Sequence, residues 1–86
     1  METAIKEILE RLEKAIAKGN AADDAWSKEP SNESLEAEFM AAYREEYEIR
    51  IELALTITHT LHEIDYSTAL KMTYNPKLAD LIKSMA

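Results

Sequence analysis

Between Pro30 and Pro76 the chain contains neither glycine nor proline. These are the two residues that most readily break a helix or turn a chain. Over the same stretch, apolar residues recur at helical spacing. Leu35, Phe39, Tyr43, Glu46, Arg50, Leu53, Ile57, Leu61, Ile64, Thr68 and Met72 follow steps of three and four, the spacing of a core-facing seam. Ser31 or Asn32 caps the start, with Glu33 in the first turn. The stretch therefore predicts one long helix over 32–73, and at 1.5 Å per residue it would run about 60 Å.

Two members of that seam are charged. Glu46 and Arg50 are four apart, the spacing at which helical side chains meet, and arginine is rarely buried without an acidic partner. They are read as a structural ion pair at the seam's edge.

Elsewhere the signals are also helical. Over 2–18, Ile5, Ile8, Leu9, Leu12, Ala15 and Ile16 share one face. Glu2, Glu7 and Glu10 each precede Lys6, Arg11 and Lys14 by four residues, the favourable order for helical pairs. Gly19-Asn20 predicts its end, because glycine takes the left-handed C-terminal position without steric cost. A short helix over 21–28 follows, with Trp26 as an anchor at one end of the core, and Pro30 stops it. Asn75-Pro76 predicts a fresh N-cap and a last helix over 76–85, presenting Leu78, Leu81, Ile82 and Met85. Local signals agree to a degree expected of a designed or engineered helical chain.

The fold expected is all-α: a small bundle of three to four helices organised on the long central one, with the N-terminal amphipathic helix packed against it. At 86 residues this is one domain over 1–86, with a small core. With one glycine and two prolines there are too few turn formers for a many-stranded sheet. The chain has no cysteine, which excludes disulfides and thiolate metal sites.

A formal net charge of −7 disfavours direct contact with nucleic acid or an anionic membrane, both of which demand Lys and Arg. No apolar run reaches the ~18 residues that span a bilayer, and Met1-Glu2-Thr3 lacks a basic, apolar leader. A cytoplasmic location is the expectation.

The second half of the central stretch carries a further apolar stripe: Ile51, Leu55, Tyr66 and Ala69, with His59 and His62 among them. A helix over 2–18 is only about 25 Å long, too short to cover both stripes. The uncovered one (Ile51, Leu55, His59, His62, Tyr66, Ala69) is the predicted interface with a second copy of the chain or another helical protein. If the stretch breaks instead, its weakest points are Thr56–Thr60, rich in β-branched residues, and Asp65-Tyr66-Ser67-Thr68, where Asp65 caps a new helix.

Chemistry has one place to sit. On a continuous helix His59, His62 and Glu63 are neighbours and offer ligands to a divalent metal or a haem. Nucleophilic catalysis has little to use, since there is no cysteine and no serine in a glycine-flanked turn. One glycine cannot build a phosphate-cradling loop. The function expected is thus non-catalytic, a helical self-association or protein-binding module with no required cofactor. Three alternatives belong to other classes: an acidic decoy for a nucleic-acid-binding protein, a metal or haem bundle using His59 and His62, and a small helical enzyme built on that pair.

Overall fold

A computed structural model describes residues 2–75 together with Lys77 and Asp80. The described residues form three helices and no strand: α1 (Glu2–Lys28), α2 (Glu33–Thr60) and α3 (Tyr66–Met72). Both α1 and α3 pack against α2, so the expected all-α bundle around a central helix is what forms. The fourth expected helix, over 76–85, lies outside the described residues. At its expected start, Asn75 Oδ1 accepts the Lys77 N–H at 2.8 Å.

Helix α1 runs without a break through Gly19-Asn20, against the expectation of two helices over 2–18 and 21–28. No described residue has a positive φ, Gly19 included. The left-handed cap is therefore not formed. Ala21 and Ala22 follow the glycine and are the strongest helix formers available. Packing at the far end adds to this, since Trp26 sits 5.2 Å from the Phe39 ring and its Nε1 donates to the Pro30 carbonyl at 3.3 Å.

The turn from Glu29 to Asn32 reverses the chain. Glu29 N–H donates to Trp26 O and Asn32 N–H to Glu29 O. Asn32, in extended conformation, then caps α2: its Oδ1 accepts from Ser34 N at 3.0 Å and Leu35 N at 3.2 Å. Two of the orphan N–H groups of the new helix are satisfied by that one side chain. Helices α1 and α2 are each about 40 Å long at 1.5 Å per residue, and they form an antiparallel hairpin. Arg11 pairs with Glu52 at 2.9 Å and Lys18 with Glu45 at 3.1 Å. Numbers rising on one arm and falling on the other fix the direction and register. Both pairs are exposed and contribute more to register than to stability.

Helix α2 ends at Thr60, so the expected continuous helix over 32–73 is overturned. The chain breaks at 61–65 and α3 begins afresh. Two local causes act together. Thr56, Ile57, Thr58 and Thr60 lose side-chain freedom in a helix, and two of the threonines turn their hydroxyls back on the backbone. Thr56 Oγ1 donates to Glu52 O and Thr58 Oγ1 to Ala54 O, each at 2.9 Å, a pattern that weakens and bends helices. Asp65 then supplies the alternative. In extended conformation, its Oδ1 accepts from Thr68 N at 2.7 Å and caps α3. Of the two weak points read in the sequence, the break falls between them and the cap belongs to the second.

The core lies where the three helices meet. Ile5, Ile8, Leu12 and Ala15 of α1, Ile49, Leu53, Ala54 and Ile57 of α2, and Ala69 of α3 form one buried cluster. Leu53, Ala54, Ile57 and Ala69 have no exposed surface at all. Alanines at 54 and 69 let the short third helix come close to the second.

A Cβ built on Gly19 meets nothing nearer than the Glu46 carboxylate oxygen at 4.0 Å, and the backbone there is helical. Gly19→Ala should therefore stabilise the protein by about 0.5–1 kcal/mol, read as a higher urea midpoint. A lower midpoint would mean that the glycine is needed at that position.

The Asp65 carboxyl is held below the ordinary carboxylate range by the Thr68 backbone N–H, then by the Thr68 side chain, with Lys71 adding attraction. Its folded pKa is lowered, so its contribution is present above the unfolded value and is lost as pH falls through the folded one. Amide protection across α3 should fall on acidification through that window. Asp65→Asn, a neutral cap, should remove that dependence; an unchanged acid profile in the variant would contradict this.

Candidate interaction surface

The expected interface residues divide when placed in the fold. Leu55 is 46% and Tyr66 40% exposed, and His59 and His62 are also exposed, whereas Ile51 is half-buried. Ala69 is the correction: at 0% exposure it belongs to the core between α3 and α2 and offers nothing to a partner. The reason is the chain reversal. Once the helix breaks at 61–65, α3 folds back and seals part of the stripe against the chain itself.

The metal reading loses its geometric basis for the same reason. His59 lies in the last turn of α2, while His62 and Glu63 lie in the turn beyond it. The three no longer share one helical face. Among the described residues, no group of three or more His, Asp or Glu side chains is placed to hold a metal ion.

The expected ion pair of Glu46 and Arg50 is formed, and it does more than the sequence reading asked of it. Arg50 is 8% exposed. Its Nε donates to Glu46 Oε2 at 3.4 Å, its Nη1 donates to the carbonyl of Thr73, and its guanidinium lies 4.2 Å from the centre of the Tyr74 ring. Thr73 is itself 2% exposed, and its Oγ1 donates to Leu70 O at 2.6 Å. The guanidinium thus joins α2 to the end of α3 by a charged hydrogen bond and a cation–π contact.

Sequence reasoning missed the first half of the surface. Its spacing put Tyr43 in the core-facing seam. Instead Met40 is 53%, Tyr43 56% and Tyr47 42% exposed. Tyr43 touches the structure through Phe39, 6.4 Å between ring centres, with most of its surface outside. The missed signal is in the spacing. Met40, Tyr47, Ile51 and Leu55 carry the second stripe backwards along α2 to its first half, and the row is about 22 Å long at helical rise.

A cleft of about 360 Å³ also opens between α1 and α2, lined by Arg11, Lys14, Lys18, Glu45, Glu48 and Glu52 among others. Its charges largely answer one another: Arg11 meets Glu52 and Lys18 meets Glu45 across it. It is a polar seam.

Among the described residues, no helix is long and apolar enough to cross a membrane. The chain matches no protein-family model, and no curated protein or solved structure shows significant similarity to it.

Arg50 gives a direct check on how α3 is held. Arg50→Ala removes one partner of a buried, hydrogen-bonded ion pair and should lower stability by roughly 3–5 kcal/mol. Amide protection in α3 should fall more than in α1. Equal loss across all three helices would show that α3 is held by its apolar contacts alone.

Proposed function

We propose that this protein is a non-catalytic helical self-association module whose contact surface is the apolar row along α2. The observation that carries the reading is the exposure of Met40, Tyr43, Tyr47 and Leu55 along α2, away from its packed core face. Single exposed apolar residues are ordinary on any protein surface. Several large ones along one side of a helix are less so, and such patches mark places where another surface docks.

The residue types support the same reading. Tyrosine and methionine are enriched at the centres of protein interfaces: tyrosine supplies large contact area at low entropic cost, and methionine adapts its shape. Tyr66, at the start of α3, adds a further exposed aromatic. A net charge of −7 keeps the remaining surface well solvated and limits the association to this row.

Tyr47→Glu tests the reading. A carboxylate in the middle of a dry contact is costly, whereas the same residue on the free helix surface disturbs nothing in the core. By light scattering the wild type should be larger than a monomer at micromolar concentration, and the variant should be monomeric with unchanged helicity by circular dichroism. A wild type that is monomeric throughout, or a variant that associates as well as wild type, would contradict it.

A further inference from the structure

The third helix covers only half of the hairpin. The buried cluster takes in residues 5–15 of α1, 49–57 of α2 and Ala69 of α3. Over residues 16–48, which span the far ends of both arms and the turn between them, Ala42 is the one fully buried residue. Trp26, Leu35 and Phe39 are half-buried there, and Tyr43 is 56% exposed. Tyr43 precedes Arg50 by seven residues, two turns of helix, so the two point nearly the same way. Arg50 meets the end of α3. Tyr43 faces the ground that α3 would cover if it were longer.

The chain is heading for that ground. Helix α3 begins shortly after α2 ends and finishes at Arg50, where the Thr73 carbonyl and the Tyr74 ring meet the guanidinium. It therefore runs antiparallel to α2, towards the uncovered half. The sequence that follows has the right length and pattern. As a helix 76–86 would run about 16 Å, and Arg50 to Phe39 along α2 is also about 16 Å. Leu78, Leu81, Ile82 and Met85 share one side at helical spacing. The Asn75 side chain accepts the Lys77 N–H at 2.8 Å, as a helix cap does.

We propose that 76–86 docks as a helix in the open groove between the far halves of α1 and α2, continuing the line of α3. Leu81 then lies over Tyr43, and Met85 reaches the stacked rings of Trp26 and Phe39. Asp80, nearly opposite the apolar side at about 100° per residue, is helical and exposed, as this placement requires. A helix under about 12 residues is marginal in water by itself, so the groove stabilises the segment while the segment supplies the missing third layer. The inference does not rest on self-association. Met40, Tyr47 and Leu55 point about 40–120° further round α2 than Tyr43 and are left for a second copy.

Hydrogen exchange on the full-length chain tests this. Amides of 79–85 should exchange at least roughly tenfold more slowly than in a free peptide of the same sequence. Tyr43→Asp and Leu81→Asp each put a charge into the contact, and both positions lie outside the buried cluster. Each should abolish the protection of 79–85 and leave that of 5–15 and 49–57 unchanged.

Free-peptide rates for 79–85 in the wild type, or protection that survives both substitutions, would overturn the docking. So would protection that appears only at concentrations where the chain associates, since the occupant would then be a second copy's segment. A protected segment in a chain that sediments as a monomer supports the docking and contradicts self-association. An associated chain with an unprotected segment does the reverse.

Discussion

Burying a guanidinium costs several kcal/mol unless its donors find partners, and Arg50 finds them only because the chain turns back on itself. Glu46 reaches it along its own helix. The Thr73 carbonyl and the Tyr74 ring are delivered by α3. Without the break at 61–65 neither would be near, and Arg50 would be left in a seam with one carboxylate. The same reversal covers Ala54 and Ile57 with Ala69 and completes the core. One buried cation, one short turn and one aspartate cap are thus mutually dependent, and the arrangement of the third helix follows from them.

Much of this fold is readable from periodicity. The α1 face from Ile5 to Ala15, the Asn32 cap, the Trp26 anchor and the Glu46–Arg50 pair are all local patterns, and local patterns are what a sequence displays. The errors lie where tertiary packing overrode local preference. Gly19 satisfies the rule for a helix end, yet α2 offers α1 a partner over the whole distance to Phe39, and the helix continues. The run from Thr56 to Thr60 is only mildly unfavourable to helix. It becomes a boundary because Asp65 offers a cap and because α3 has somewhere to dock.

These two departures have one effect in common on the surface. The sequence posed a covering problem, with about 25 Å of first helix against about 60 Å of second. The fold answers most of it by lengthening one arm to Lys28 and shortening the other to Thr60, so that the arms match. Ala69, expected at an interface, is consumed in the process. His59, His62 and Glu63 are separated by the same break. What remains uncovered is the row from Met40 to Leu55, on the side of α2 that neither α1 nor α3 reaches. Its tyrosines were legible as residues but not as exposed ones, because a Tyr43 four residues from Phe39 fits a buried seam equally well on spacing alone.

A row of that kind should make folding and association one event. Anything that binds the native chain and not the unfolded one raises its apparent stability by mass action, and a second copy does so with the logarithm of protein concentration. The most direct measurement is therefore the thermal midpoint of the wild-type chain over a hundredfold range of protein concentration, followed by circular dichroism. A midpoint that climbs steadily with concentration is the result expected if the row is buried between two copies. A midpoint that does not move would contradict it and leave the row as bare surface on a monomer.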